Sequence, residues 1–246
     1  MTSEIDNATT IVFVHGGQHT GACWQPTVDA IKAANPAVQT VSVDLPGRRN
    51  EPGDLATLTI DQCAHSIVRQ IDAAGAGKVM LVGHSMAGLT LPAAATLLGV
   101  DRVSRMVYLA CCVPPQGKTV MSTLKPPVSW FAEILGRFQK VSKPMPGPIA
   151  KWMFANGMTD AQKAQVVAGL VSESSAVTRE PVDRSKMPDI DTTWIITKQD
   201  NSLKPALQRE FIANLGNVNE VIEIDTCHNA MMSEPTQLAG LLLSRL

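Results

Sequence analysis

The chain has no block of like charge. Lysine and arginine number 21 against 22 acidic residues, a formal net charge of −1, with neither a basic run nor an acidic tail. Nothing therefore recommends nucleic acid or an anionic membrane as a partner. The polar, acidic first ten residues hold no apolar segment behind a basic start, so no signal peptide is expected. No uninterrupted apolar run approaches the length that crossing a bilayer needs. Paired cysteine spacing is missing too. Cys23, Cys63, Cys111, Cys112 and Cys227 are an odd set without CxxC, which argues against a disulfide framework or a zinc site and for buried, reduced thiols. Cys227 precedes His228, but adjacent side chains on an extended chain end point apart. A soluble, cytoplasmic protein without metal or cofactor is the expectation.

What is present suits one α/β domain with a modest insertion: 246 residues, 45% hydrophobic and 17% charged. Thr10-Ile11-Val12-Phe13-Val14 is a continuous apolar, β-branched run, as in a strand buried on both faces. Similar runs follow at Thr40–Val43, Lys78–Val82, Arg105–Ala110, Thr193–Thr197 and Glu220–Ile224. Between them lie helical patterns. From Thr59, Ile60, Ala64, Ile67, Val68 and Ile71 recur with helical spacing, while Asp61, His65 and Arg69 line the opposite, solvated face. Pro92 falls beyond the first turn of the helix after Ser85 and predicts a kink or an early break. Strand and helix alternate, which implies a mostly parallel sheet with right-handed crossovers. Residues 113–188 have a different texture, rich in proline, methionine and aromatic residues, as in Pro126-Pro127-Val128-Ser129-Trp130-Phe131 and Lys151-Trp152-Met153-Phe154. We read 1–112 and 189–246 as the core and 113–188 as a small helical cap over a pocket, some of its aromatics lining that pocket and others packing the cap onto the core.

The stretch Gly83-His84-Ser85-Met86-Ala87-Gly88 has the outline of a nucleophile elbow, a serine on a tight turn from strand to helix, although Ala87 takes the place of the second glycine in G-x-S-x-G. Ligands of such sheets bind at the carboxyl ends of the strands. Ser85, Asp200 and His228 each follow a strand there, in the order serine, acid, histidine. A serine hydroxyl needs an imidazole to take its proton, and the imidazole needs a carboxylate to hold its other nitrogen. The backbone N–H groups of Gly17 and Met86 are the candidate donors to an oxyanion. Asp225 competes with Asp200 as the acid but lies only three residues before His228. Glu223 is expected to face solvent or a helix, Asp44 to act as a loop or cap acceptor, and His84 to be structural. His19, in the loop His15-Gly16-Gly17-Gln18-His19, is placed where it could touch substrate. That loop has neither a P-loop ending nor a GxGxxG spacing.

With these residues assembled, the chain resembles the α/β-hydrolase superfamily over nearly its full length, and within it the branch of plant methyl esterases and hydroxynitrile lyases with their bacterial esterase-like relatives. The resemblance rests on His15-Gly16-Gly17-Gln18-His19 with Trp24, Val43-Asp44-Leu45-Pro46-Gly47, the Ser85 elbow, Gln199-Asp200, and His228-Asn229-Ala230-Met231 with Ser233-Glu234-Pro235. It implies a catalytic triad of Ser85, Asp200 and His228, and an oxyanion hole of Gly17 and Met86. The lyases carry a threonine and a lysine where Gly16 and Asn229 stand, so the esterase reading gains; the esterases usually carry a methionine at the second position, so methyl-ester preference is not carried over. The expectation is a serine carboxylesterase for small to medium apolar esters, with Gly16, His19, Trp130, Trp152 and Asn229 touching substrate. Lactone or C–C bond hydrolysis on the same triad, or a non-catalytic small-molecule receptor, are the alternatives. A small-molecule ester is the expected partner, and a homodimer is left open.

Overall fold

The computed structural model describes residues 9–123 and 139–246. Its centre is a six-stranded sheet in the order β2-β1-β3-β4-β7-β8, made of β1 (Thr9–Val14), β2 (Thr40–Val43), β3 (Lys78–His84), β4 (Val103–Leu109), β7 (Thr192–Thr197) and β8 (Glu220–Ile224). Each neighbouring pair is parallel. Strand pleating sends successive side chains to opposite faces, and the two cores follow that alternation. Ile11, Phe13, Met80, Val82, Val107, Leu109 and Ile195 join one core. Val12, Val14, Val79, Leu81, Met106, Tyr108, Trp194 and Ile196 join the other. The middles of the central strands, Ile11–Val14, Val79–Val82 and Met106–Leu109, are apolar at every position because both of their faces are covered.

Helices α1 (Gln25–Ala34) and α7 (Pro235–Leu243) pack the first face through Val28, Ile31, Leu238 and Leu242. Helices α2 (Ile60–Ala73), α3 (Ala87–Leu98) and α6 (Pro205–Leu215) cover the second through Ile67, Ile71, Leu91 and Phe211. Helix α2 starts on a capping box: the Thr59 side chain accepts from Gln62 N–H and the Gln62 side chain accepts from Thr59 N–H, a device worth about 1 kcal/mol. His65 and Arg69 on its outer face are exposed, as expected.

The structure sharpens two expectations. Helix α3 runs through Pro92 without a break. Proline there removes one hydrogen bond, but nearly the whole helix is buried between the sheet and α2, and this tertiary packing outweighs the local cost. The segment expected to be a small helical cap contains, besides helices, a small antiparallel sheet. Its strands β5 (Val141–Ser142) and β6 (Glu173–Ser174) pair Val141 with Ser174 and Ser142 with Glu173. Between them lie helices α4 (Gly147–Phe154) and α5 (Asp160–Ala168). Strands of two residues leave no periodicity to read. No helix among the described residues is long and apolar enough to cross a membrane.

Candidate active site

Strand β3 ends at His84 and α3 begins at Ala87, leaving Ser85 on the turn with φ +53°. A residue with a Cβ is strained there by roughly 1–2 kcal/mol, and three backbone bonds hold it. Ser85 N–H donates to Leu109 O at 3.1 Å, and Ser85 O accepts from Cys112 N–H at 2.8 Å and Gly88 N–H at 3.1 Å. The surrounding glycines are needed for close approach. A Cβ at Gly83 would lie 2.7 Å from Leu91 Cδ1, and one at Gly88 would lie 2.4 Å from the Cys112 carbonyl. Ala87 is fully buried without obstructing the turn.

Ser85, His228 and Asp200 are brought together. His228 Nε2 lies 3.0 Å from Ser85 Oγ, and His228 Nδ1 lies 2.7 Å from Asp200 Oδ2. Nδ1–H therefore donates to the carboxylate, and Nε2 is free to accept the serine proton. Asp200 is itself fixed: Oδ1 accepts from the N–H groups of Ser202 and Leu203, both at 2.7 Å, and Oδ2 accepts from Thr197 Oγ1 at 2.8 Å. Buried Gln208 approaches the same oxygen at 3.4 Å. Beneath the imidazole, His84 Nε2–H donates to the His228 carbonyl at 3.0 Å, which gives His84 the structural part expected of it. The Phe154 ring stacks on His228 with centroids 5.5 Å apart. Asp225 points elsewhere, bonded to Gln199 and near Lys198. Glu223 pairs with Arg209 on the surface, and Asp44 accepts from Gly21 N–H and Asn50, both as expected.

Beside the serine lies the loop after β1. His15 Nδ1–H donates to Gly16 O at 2.8 Å while its Nε2 accepts from Leu45 N–H at 3.1 Å. His19 Nδ1–H donates to Gly17 O at 2.7 Å while its Nε2 accepts from Asn229 Nδ2 at 3.0 Å. Both rings are thereby held neutral, and burial above all pushes His15 down to about 3 and His19 down to about 4. His84 is lowered well below its ordinary value, again chiefly by burial. The N–H groups of Gly17 and Met86, by contrast, have no hydrogen-bond partner among the described residues. Met86 stands at the amino-terminal end of α3, where the helix dipole favours developing negative charge.

A cavity of about 340 Å³ opens over Ser85 and His228. Met145, Met153, Phe154 and Leu203 supply apolar wall, and Ser142, Glu173 and Thr178 supply polar wall. His19 lines it, where the sequence placed it. Three other candidates do not. Trp152 is 59% exposed on the outer side of α4, and its neighbours Met153 and Phe154 turn inward instead. Asn229 is fully buried behind His19. Gly16 sits under Ser85, where a Cβ would lie 2.8 Å from the serine Cβ. Trp130 lies outside the described residues. Cys112 lines the cavity, but burial, with the Asp200 charge adding to it, pushes its thiol up to about 12, so it is no competing nucleophile. All five cysteines are free and buried. Among the described residues no group of three or more His, Cys, Asp or Glu is placed to hold a metal ion.

Two residues that sequence reasoning did not single out also reach the site. Arg48 Nη2 and Glu173 Oε2 form a buried ion pair at 2.5 Å, and both touch the loop that carries Gly17. They lie 125 residues apart in the chain, and no local pattern links them.

The sequence model of a family described as the alpha/beta hydrolase family matches residues 11–241. A probable esterase of rice (Oryza sativa subsp. indica), PIR7A, is 33% identical over 125 residues, 49% of this chain and 45% of that protein. The match thus spans about half the length of that relative. Putative methylesterase 19 of Arabidopsis thaliana is 31% identical over 183 residues, 68% of this chain and 69% of that one. Among solved structures, an extracellular alpha/beta-hydrolase from a Paenibacillus species, described as sharing structural and functional homology with tobacco salicylic acid binding protein 2, superposes with a TM-score of 0.84. It is 20% identical and covers 96% of this chain and 98% of its own, a likeness of fold.

Proposed function

The chain belongs to the alpha/beta hydrolase family, and from that premise we propose that it is a serine carboxylesterase acting on small to medium, fairly apolar esters. The observation that carries this reading is the unbroken path Asp200–His228–Ser85, two hydrogen bonds of 2.7 and 3.0 Å, at the base of a cavity with methionine and phenylalanine walls. Relatives named as esterases and methylesterases support it.

In this mechanism Ser85 Oγ attacks the ester carbonyl carbon as its proton passes to His228 Nε2. The imidazolium is steadied by Asp200, whose own donors keep it in one orientation. The carbonyl oxygen becomes an oxyanion and is met by the unpaired N–H groups of Gly17 and Met86. Collapse breaks the bond to the alcohol oxygen, which leaves with the proton from His228 and gives the acyl-enzyme on Ser85. Water then attacks, His228 Nε2 takes its proton, and Ser85 departs with that proton as the carboxylic acid forms. Residues 113–188 act as a cap whose Met145, Met153 and Phe154 receive the apolar part of the substrate. Five free thiols suit a reducing compartment, the cytoplasm.

A panel of p-nitrophenyl esters, with fluorophosphonate labelling of the intact protein, tests this. Turnover and labelling should both vanish in Ser85→Ala, with a rate loss of about 10⁶-fold. No turnover across the panel, or full activity in Ser85→Ala, would sink the reading.

A further inference from the structure

We propose that the buried Arg48–Glu173 pair positions the oxyanion loop, so that the Gly17 donor is completed only when the segment carrying Glu173 is docked. The proposal rests on the esterase reading above. Peptide groups of the loop are held one after another by named partners. Gly17 O accepts from His19 Nδ1–H, Gln18 N–H donates to Glu173 Oε2 at 2.7 Å, Gln18 O accepts from Val171 N–H at 2.9 Å, and His19 O accepts from Arg48 Nε–H at 2.9 Å. The unpaired Gly17 N–H stands at the amino-terminal edge of this clamped run, and a Cβ built on Gly17 would be 3.6 Å from Glu173 Oε2.

Stability alone gives little reason for an ion pair here. Arg48 and Glu173 side chains are only 1% and 10% exposed, and the desolvation of two buried charges offsets most of their attraction, so an apolar pair would hold the segment as well. An apolar pair could not do what the fork does. The guanidinium binds the His19 carbonyl through Nε and the carboxylate through Nη2, while the same carboxylate oxygen takes the Gln18 N–H. Gln18 adds two further ties, from Nε2 to Lys143 O and from Met145 N–H to its Oε1, both at 2.9 Å. It does so at φ +59°, a conformation that a residue with a side chain keeps only under such restraint. Arg48 and Glu173 are thus positioning residues: they act on the oxyanion through the peptide groups beside Gly17.

The test compares ligands that do and do not form an oxyanion. A phenethyl trifluoromethyl ketone adds Ser85 as a tetrahedral oxyanion, whereas phenethyl alcohol only fills the cavity. In folded Glu173→Gln, kcat should fall about tenfold or more with KM changed less than about threefold, and ketone affinity should fall in parallel while alcohol affinity holds. Arg48→Lys keeps the charge but loses the fork and should show the same split. Unchanged kcat and ketone affinity, loss of kcat without loss of ketone affinity, or equal loss for both ligands would overturn the proposal. If neither variant folds, hydrogen exchange on the wild type decides: ketone binding should slow the amides of Gln18 and Val171 together, and failure to slow them overturns it. A wild type that hydrolyses no ester would refute the esterase reading instead, a result separable from these.

Discussion

Asn229 Nδ2 donates to His19 Nε2 at 3.0 Å, and His19 Nδ1 donates onward to the carbonyl of Gly17 at 2.7 Å. The residue next to the proposed base is thereby linked to the loop of the proposed oxyanion donor. The direction of the chain is fixed, since Gly17 O can only accept. Asn229 Oδ1 is left buried without a partner. Replacing Asn229 by leucine exchanges one unpaired group for another: the orphaned Oδ1 disappears, and His19 Nε2 loses its donor. Each is worth about 1–3 kcal/mol with opposite sign. Asn229→Leu should therefore keep its unfolding free energy, read from urea titration, within about 1 kcal/mol of wild type while kcat falls severalfold as the His19 ring loosens. A large stability loss with unchanged kcat would contradict this account.

The two glycines of the loop should respond differently to the same added methyl. At Gly16 it would meet Ser85 Cβ at 2.8 Å and His84 Nδ1 at 3.0 Å, both on rigid, buried elements. At Gly17 it would meet Met86 Sδ at 2.4 Å, the movable part of a flexible side chain. Gly16→Ala should lower kcat about 100-fold by displacing the nucleophile. Gly17→Ala should stay within about tenfold of wild type because the thioether swings aside. Steady-state kinetics on one p-nitrophenyl ester separate the two, and equal effects would show that the elbow tolerates displacement.

Stability should decline on mild acidification. His15 and His19 stay neutral in the folded protein down to about 3 and about 4, with burial the main cause, and His84 is lowered as well. In the unfolded chain the same rings titrate near 6.5. Below about pH 6.5 the unfolded state binds protons that the folded state refuses, so stability falls as pH drops toward 4, by about 1.4 kcal/mol per pH unit for each refused proton. Above that pH these rings add no slope. Urea titrations at several pH values from about 7 to 5 should show the decline, and His19→Gln should flatten it by one proton. A flat profile would mean that the buried rings are reached by protons without unfolding.

On α4, Phe154 and Trp152 should behave as opposites. Phe154 stacks on His228 and lines the cavity, while Trp152 is exposed. Phe154→Ala should raise KM about tenfold or more for aryl esters, since about 2–3 kcal/mol of apolar contact is lost. Trp152→Ala should leave kcat and KM within about twofold. An equal rise in KM for both would return Trp152 to the pocket.

These contrasts mark where the sequence could be read and where it could not. The central strands were legible because burial on both faces makes them continuous apolar runs: the expected strand Thr10–Val14 is observed as Thr9–Val14, and Arg105–Ala110 as Val103–Leu109. Ser85, Asp200 and His228 were legible because each directly follows such a strand, so topology alone brings them to one rim. Which side of α4 faces inward was not, since an eight-residue helix with tryptophan, methionine and phenylalanine in succession offers apolar residues on more than one side. Continuity through Pro92 depended on burial by α2, which local propensity does not report. The Arg48–Glu173 pair joins two segments whose contact no spacing encodes.

The chain leaves the sheet after Leu109 and returns at Thr192 on the adjacent strand, with Met106 beside Thr192 and Leu109 beside Ile195. Among the described residues this excursion starts from one strand and ends on the adjacent one, so a hybrid gene could replace it at two junctions and leave the strands as they are. Gln18 and Arg48, encoded far upstream of that excursion, nevertheless grip Val171, Glu173, Lys143 and Met145 within it. A transplanted excursion would be a compatible graft only if it brought its own carboxylate to Arg48. Inheritance of the two parts is thus tied together at one ion pair, and exchange among relatives should be most productive where that pair is shared.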